Sequence, residues 1–158
     1  MNAIDFRTGM RQLASGVAII TTVVDGRPYG LTATALTSLS DSPPALIACV
    51  NRSASAHDRI LESRRFCVNI LAEQQQTLAR RFSGAVAPER RFDEIDYVLT
   101  AHGVRFEESL VSFSCLLDKS EEYGTHSILI GSVAEVAQAE ERPPLIYLRG
   151  AFASTAAA

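Results

Sequence analysis

The sequence predicts a mainly β fold, in which antiparallel strands form a small closed or nearly closed barrel with short helices inserted. Runs rich in β-branched residues recur along the chain, as they do in strands. Asp25-Gly26 is a strong hairpin signal between two such runs. Strands do not alternate regularly with helices, and no Gly-x-Gly-x-x-Gly follows a strand, which argues against a Rossmann fold.

The composition is typical of a globular protein, with 47% hydrophobic and 21% charged residues among 158. This length predicts a single domain over residues 1–158. The net charge of −3 and the lack of a basic patch argue against nucleic-acid binding. No apolar run approaches the roughly 20 residues that span a bilayer, and the N-terminus lacks the order of a signal peptide. We therefore expect a cytoplasmic protein with no membrane partner.

The first elements are a helix and a hairpin. Apolar residues at i, i+4 and i+7 predict an amphipathic helix over residues 4–14. The periodic residues are Phe6, Met10 and Leu13. A β-branched run predicts a strand over residues 17–24, and Asp25-Gly26 turns the chain into a second strand over residues 28–35.

The middle of the chain mixes strands with short helices. Ser42-Pro43-Pro44 predicts an extended turn before a buried strand over residues 45–50. A serine cap after this strand can open a short helix that runs through Ile60-Leu61. A strand over residues 66–71 and a helix over residues 72–82 follow.

The last part is predicted to return to strands. Residues 83–96 have the character of a loop, and a strand lies within residues 109–121. Tyr123-Gly124-Thr125 turns the chain into a strand over residues 126–137, and residues 145–148 form the last strand.

The three cysteines each lie among apolar residues, without a Cys-x-x-Cys pair or a histidine close by in sequence. We interpret them as small buried hydrophobic residues in strands rather than as disulfide partners or metal ligands. They are Cys49, Cys67 and Cys115. No metal site is predicted.

The threonine- and serine-rich stretch over residues 30–40 is the most informative segment. It has short hydroxyl donors, little bulk and a backbone that a ligand can approach, which suits a phosphate and a flat ring. The alternative is an exposed strand, because β-branched threonine favours strands. Elsewhere the chain has only three histidines and no Gly-x-Ser-x-Gly motif. If it is an enzyme, a bound cofactor therefore supplies the reactivity.

An ordered series of short motifs over nearly the whole chain resembles the short flavin reductases, the reductase components of two-component flavin-dependent monooxygenases. Each motif is weak alone, and the order of the series carries the resemblance. The motifs are Phe6-Arg7-x-x-Met10, residues 17–22, residues 30–35, residues 41–44, residues 49–55, residues 66–71, Phe82-Ser83-Gly84, Gly124-Thr125-His126 and residues 146–150.

The resemblance implies a split β-barrel that forms a homodimer and binds FMN or FAD. It also implies that NADH or NADPH reduces the flavin, and that reduced flavin diffuses to a partner oxygenase. Two alternatives remain open: a flavin-binding module without turnover, and a split-barrel protein that binds pyridoxal phosphate or haem.

The resemblance also implies site residues. Thr32, Ala33 and Thr34 would present backbone groups to the isoalloxazine edge, and Ser38 a hydroxyl near the ribityl phosphate. Asn51, Arg52, Ser53 and Ser55 would form a phosphate loop, with a simple helix cap as the alternative.

Further implied flavin contacts come from later segments, and they are Arg81, Phe82, Ser83, Arg91, Tyr147 and Arg149. Solvated arginines and a core tyrosine are the alternatives here. His126 is the catalytic candidate, because an imidazole at this position would orient the nicotinamide carboxamide. Its alternative is a histidine bonded to backbone at the start of a strand.

Overall fold

The computed structural model describes residues 3–155, with side chains from residue 5 onwards, and within them a seven-stranded antiparallel sheet in the order β3-β2-β6-β9-β10-β5-β4. In chain order the strands are β1 (Ser15–Gly16), β2 (Ala18–Val24), β3 (Arg27–Ala33), β4 (Leu36–Asp41), β5 (Pro44–Asn51), β6 (Arg65–Ile70), β7 (Val98–Leu99), β8 (Val104–Arg105), β9 (Val111–Tyr123), β10 (His126–Gln138), β11 (Ile146–Leu148) and β12 (Ala151–Ala153). The helices are α1 (Ala3–Met10), α2 (His57–Ser63) and α3 (Gln76–Arg80).

The large sheet rolls around one apolar core. Buried side chains from β3 at one edge, including Leu31, share a cluster with Ala48 on β5 and Phe66 on β6. Among the described residues no ladder joins the edge strands β3 and β4, so the sheet stays open. The prediction of a mainly β fold is confirmed. Of the two predicted forms, a closed barrel and a nearly closed barrel, the nearly closed barrel fits a sheet whose edge strands are not paired.

Strand β2 has a core on each of its two faces, which explains its unbroken apolar run. Ala18 and Ile20 point into the rolled sheet, whereas Ile19 and its neighbour Val17 contact a second cluster outside it. This second cluster includes Phe82, after α3. Successive strand residues point to opposite faces, so a strand buried on both faces cannot show polar alternation.

The two predicted hairpins are present. Asp25 and Gly26 both have positive φ, 50° and 74°, as the tight turn between β2 and β3 requires. Gly124, with φ 58°, turns β9 into β10. Ser42-Pro43, a cis peptide, lies in the short turn between β4 and β5.

Several predicted boundaries are wrong. The first helix ends at Met10 rather than at residue 14, and its apolar side chains are exposed, with Phe6 at 56%. The threonine-rich strand ends at Ala33, and the chain restarts as β4 at the far edge of the sheet. The reason is tertiary, because Ala35 accepts a hydrogen bond from Cys49 of β5.

The predicted serine cap is also wrong: Ala56 is the N-cap of α2, and it makes no side-chain cap. The predicted helix over residues 72–82 is composite. A 3₁₀ turn at Glu73–Gln75 precedes α3, and a wider turn over Arg81–Ala85 follows it. The short strands β1, β7, β8 and β12 escaped prediction, since two or three residues show no periodicity. No described helix is long and apolar enough to cross a membrane.

The cysteine interpretation is confirmed for two of the three residues. Cys67 and Cys115 are fully buried, and burial raises the pKa of each thiol from 9.0 to about 12. Cys49 is half-buried. Because the folded chain holds these two thiol protons more tightly than the unfolded chain, their contribution to stability falls as pH rises from about 9 towards 12.

We expect dithiobis(nitrobenzoate) at pH 8 to modify Cys49 before Cys67 and Cys115, which should react only as fast as the chain unfolds. Burial raises the pKa of both thiols far above 8, so little thiolate forms at that pH, and neither side chain is open to the reagent. Absorbance at 412 nm measures the reaction, with urea-unfolded protein as the reference for all three thiols. Rapid release of three equivalents from folded protein would contradict this assignment.

Candidate functional site

Two adjoining clefts at the end of β3 share Thr34 and Tyr147, and we call them together the Thr34 groove. The first cleft has a volume of about 390 Å³ and the second about 600 Å³. Thr32, Ala33, Arg80, Ser83 and Phe152 line the first cleft with the two shared residues. The second is lined by residues in and just after α1 and by Ala35, Leu36 and Ile70.

The groove exists because the chain leaves the sheet at Thr34-Ala35. Leu36 N–H donates to the Thr34 carbonyl at 3.2 Å, and Cys49 N–H donates to the Ala35 carbonyl at 2.9 Å. These bonds fix a short step between β3 and β4. The side chains of Thr34 and Ala35 are exposed there, so a ligand can lie close to this step.

One wall of the first cleft carries a cation and two rings. The Thr32 hydroxyl donates to the Ala79 carbonyl at 2.7 Å, which holds α3 against β3. The Arg80 guanidinium lies 5.0 Å from the ring centre of Phe152, and that ring meets Tyr147 edge-on at 5.7 Å. A positive charge beside aromatic faces suits a ligand that combines a flat ring with an anionic group.

The structure brings together part of the predicted site. Thr32, Ala33, Thr34, Ser83 and Tyr147 all line the first cleft, although they come from three distant segments. Tyr147 is 37% exposed, so its ring faces the groove rather than a core. These residues fit a flavin by their short hydroxyls, accessible backbone and ring surface.

A second set of predicted residues lies together at the start of β10. His126 pairs with Asn51 across the ladder, and its Nδ1 lies 2.8 Å from the Thr125 hydroxyl. Asn51 Oδ1 accepts hydrogen bonds from the Ser53 N–H and hydroxyl at 2.9 and 2.8 Å. Arg52 pairs with Glu122 at 3.0 Å. This polar cluster is distinct from the residues that line the groove.

Arg81 and Arg91, which were predicted to contact the flavin, hold a loop of the chain in place. Arg81 donates to the carbonyls of Arg91, Arg90 and Asp93 at 2.6, 2.9 and 2.5 Å. Arg91 donates to the carbonyls of Gly30 and Val86 at 3.0 and 3.3 Å. Burial is the main influence on the Arg91 pKa and lowers it. Both guanidiniums fasten this loop, Arg91 directly to β3.

The side chain of Phe82 is core rather than groove. It is 1% exposed, and it packs edge-on against Phe92 at 4.9 Å and Phe106 at 5.7 Å. Any contact of this residue with a ligand therefore has to come from its backbone.

The remaining predicted residues are scattered. Ser38 is exposed on β4, and Ser55 lines a separate cavity of about 240 Å³ with Tyr29. Arg149 reaches back to the turn after α1, where its Nε donates to Gln12 Oε1 at 3.3 Å. The structure thus places Ser38, Ser55 and Arg149 apart from the first cleft.

Sequence reasoning gave little weight to His57, which is 3% exposed at the start of α2. Its Nε2 lies 2.8 Å from the buried Ser127 hydroxyl, and its Nδ1 lies 2.7 Å from Asp58 Oδ1. Ser127 follows His126 in the chain, so this contact ties α2 to the polar cluster. The groove residues Arg7, Arg11 and Phe152 were also missed, although the arginines stand four residues apart, Arg7 on α1 and Arg11 directly after it.

A third cleft of about 510 Å³ lies between α3 and the segment before β9. Its lining includes Asp96, Glu107 and Glu108, and its one arginine, Arg81, is engaged with loop carbonyls. Carboxylates repel a phosphate, so this cleft is a poor nucleotide site despite its size.

A rolled antiparallel sheet with a cation- and ring-lined groove at the end of β3 is the arrangement of a small β protein with a candidate nucleotide site. The model of the flavin reductase like domain matches residues 10–156. The chain therefore belongs to the flavin reductase-like family.

Relatives and solved structures agree with this assignment. The chain is 40% identical over 148 residues, 94% of its length and 78% of the relative, to the reductase component of a 4-nitrophenol 4-monooxygenase/4-nitrocatechol 2-monooxygenase from Rhodococcus opacus. It is 38% identical to FMN reductase (NADH) RutF from Klebsiella pneumoniae over 143 residues, 90% of this chain and 87% of that protein. The NADH:FAD oxidoreductase SgcE6 of Streptomyces globisporus, solved with NAD and FAD fragments, superposes with a TM-score of 0.88 at 27% identity, over 96% of this chain and 92% of that one.

Proposed function

We propose that this chain is an NAD(P)H:flavin oxidoreductase that supplies reduced flavin to a partner monooxygenase. The observation that carries the proposal is the family match over residues 10–156. Relatives that are named as NADH-dependent FMN reductases and as monooxygenase reductase components support it. The Thr34 groove offers a place for the flavin.

The flavin, when bound, supplies the hydride acceptor, and the nicotinamide nucleotide supplies the hydride. The chain binds and orients these two molecules. Thr32, Ala33 and Thr34 provide the wall of the first cleft, and Ser83 adds a hydroxyl there. Tyr147 and Phe152 offer ring surface, and Arg80 offers a positive charge for an anionic group.

His126 is proposed to orient the nicotinamide carboxamide through a hydrogen bond. It is exposed at the tip of the β9–β10 hairpin, where Thr125 already contacts its Nδ1. The polar cluster around Asn51, Arg52 and Ser53 is proposed to bind a phosphate. Ser38, Ser55, Arg81, Phe82, Arg91 and Arg149 remain predicted flavin contacts.

A homodimer is part of the proposal. Half-buried aliphatic residues occupy the outer face of β5 and β10, where Ile47 pairs with Ile130 and Cys49 with Ile128. Apolar side chains at the end of α1 and just after it are exposed as well, with Met10 at 50% and Leu13 at 61%. Contiguous apolar surface of this kind is typical of subunit interfaces. Sedimentation at micromolar concentration tests the dimer.

The test of function is NADH and NADPH oxidation at 340 nm by purified protein, with FMN, FAD or no added flavin. We expect oxidation that depends on added flavin and on enzyme concentration. Flavin binding without any oxidation would instead support a flavin-binding module. An absorption spectrum of the purified protein separates flavin from pyridoxal phosphate or haem.

Substitution of His126 by alanine is expected to lower kcat/KM for the nicotinamide nucleotide about tenfold, because one orienting hydrogen bond is lost. The dissociation constant of flavin should stay within a factor of two. His126→Gln, which keeps a hydrogen-bonding side chain, serves as the matched variant and should recover part of the loss. Equal losses in both variants, or weaker flavin binding, would rule out the orienting role.

A further inference from the structure

The second cleft of the Thr34 groove has a strongly basic outer wall. Arg7 and Arg11 both line it, and they lie four residues apart on α1 and its continuation. Residues at i and i+4 lie on one side of a helix. Both side chains are exposed, so their guanidinium groups can reach a ligand in the cleft.

No ion pair found among the described side chains includes Arg7 or Arg11. The ion pairs of the described residues have Arg52, His57, Arg59, Arg90 and Lys119 as their cationic members. Two like charges one helical turn apart repel each other. An anion between them would relieve that repulsion.

The cleft is fixed in place relative to the rest of the groove. Arg149 N–H donates to the Arg11 carbonyl at 2.8 Å, and Arg149 Nε donates to Gln12 Oε1 at 3.3 Å. The segment after β11 thereby holds the end of α1 beside Tyr147, which both clefts share. The backbone at Arg11 is therefore held beside the groove, and Arg7 lies four residues before it.

The arrangement of charges indicates what kind of ligand spans the groove. The first cleft has one cation, Arg80, beside rings, whereas the second has two guanidiniums beside Thr34. A mononucleotide has a single phosphate group and one ring system. A dinucleotide has two nucleotide halves joined by a pyrophosphate, and its two phosphate groups offer one set of oxygens to each of two guanidiniums, which bind phosphate in a planar fork.

Resting on the proposed function, we propose that Arg7 and Arg11 bind the pyrophosphate of a dinucleotide that extends from the first cleft into the second. These two residues would then determine the preference for a dinucleotide over its mononucleotide. The dinucleotide is either FAD or the nicotinamide donor, since both contain the same pyrophosphate.

The experiment compares dinucleotides with mononucleotides in Arg7→Ala and Arg11→Ala. Dissociation constants for FAD and FMN come from flavin fluorescence, and KM values for NADH and reduced nicotinamide mononucleotide come from the 340 nm assay. We expect each variant to weaken one dinucleotide about tenfold and its mononucleotide less than twofold. Whichever pair shows the difference identifies the source of the pyrophosphate.

Arg59→Ala is the matched control, because Arg59 is an exposed arginine on helix α2 whose partner is Glu62 at 2.7 Å. Alanine has the highest helix propensity, so the variants of α1 should keep its structure, and circular dichroism checks this. The effect should shrink in 0.5 M salt, since exposed charges are screened over a few ångströms there.

Equal weakening of FAD and FMN, or no change in either pair of ligands, would overturn the pyrophosphate assignment. If those variants and the control still oxidise NADH in a flavin-dependent manner, the proposed function stands. If the unmodified protein shows no flavin-dependent oxidation, the proposed function fails, and the FAD and FMN binding constants still test the two arginines.

Discussion

Substitution of Thr34 by tryptophan is expected to abolish most flavin-dependent NADH oxidation, with kcat/KM reduced about 100-fold or more. Thr34 belongs to both clefts of the groove, and its side chain is exposed at the step between β3 and β4. An indole ring at this point would occupy the shared wall and displace a bound flavin. Displacements of about 1 Å in a reacting pair already reduce rates by about 100-fold.

The stability of the Thr34→Trp variant should change little, because an exposed side chain outside the core is replaced. Thermal unfolding checks this, and flavin fluorescence should show a weaker complex. The matched control is Thr77→Trp, which places the same ring in the acidic cleft beside α3. Normal turnover in Thr34→Trp, or a larger loss in Thr77→Trp, would move the flavin site away from the groove.

Local sequence signals were sufficient to predict the strands that are marked by a β-branched run or by a hairpin turn. The run over residues 17–24 and the Asp25-Gly26 turn needed no tertiary information, because β-branched side chains and positive φ are local properties. The break at Thr34-Ala35 could not be predicted in this way. No glycine or proline marks it, and the bond from Cys49 that fixes Ala35 comes from a strand placed by long-range pairing.

The residues that form the Thr34 groove could not be predicted from local sequence signals either. Thr32, Ser83 and Tyr147 come together only because α3 docks on β3 and the C-terminal strands return to β1. The ordered motifs nominated these residues by resemblance, and no spacing rule could have done so. The arginines show why residue type alone is ambiguous, since a guanidinium binds a carbonyl as readily as a phosphate. Arg81 and Arg91 bind carbonyls, whereas Arg7 and Arg80 line the groove.

Strand β5 connects the polar cluster at His126 to the Thr34 groove. Cys49 bonds to Ala35, and Asn51, two residues later, pairs with His126. Under the proposed assignment of the nicotinamide to His126 and of the flavin to the groove, the two nucleotides would approach each other along the outer side of β5. The half-buried Cys49 and Ile128 of that face would then lie beside the nucleotides as well as at the proposed dimer contact.

Substitution of Gly131 by alanine is expected to destabilise the chain by about 3 kcal/mol, at the upper end of what overpacking a core usually costs. A Cβ at this position of β10 would lie 2.4 Å from Cζ of Phe66 and 3.1 Å from Cβ of Cys115. Phe66 is completely buried and is one of the largest core side chains, so its ring has no free space into which to move. Urea unfolding measures the loss, and Gly9→Ala in α1, where a Cβ meets nothing within 4 Å, is the control.

A double-mutant cycle with Phe66→Leu identifies the clash as the cause. Leucine is shorter than phenylalanine and leaves room for the new methyl group, so Gly131→Ala should cost much less in that background. An interaction free energy of about 1 kcal/mol or more in the favourable direction is expected for residues in contact. Additive effects would mean that the loss arises from the backbone of β10 instead. Because β10 runs from His126 to Gln138, recovered turnover in the double mutant would also show that core packing at Gly131 supports the polar cluster at the start of the strand.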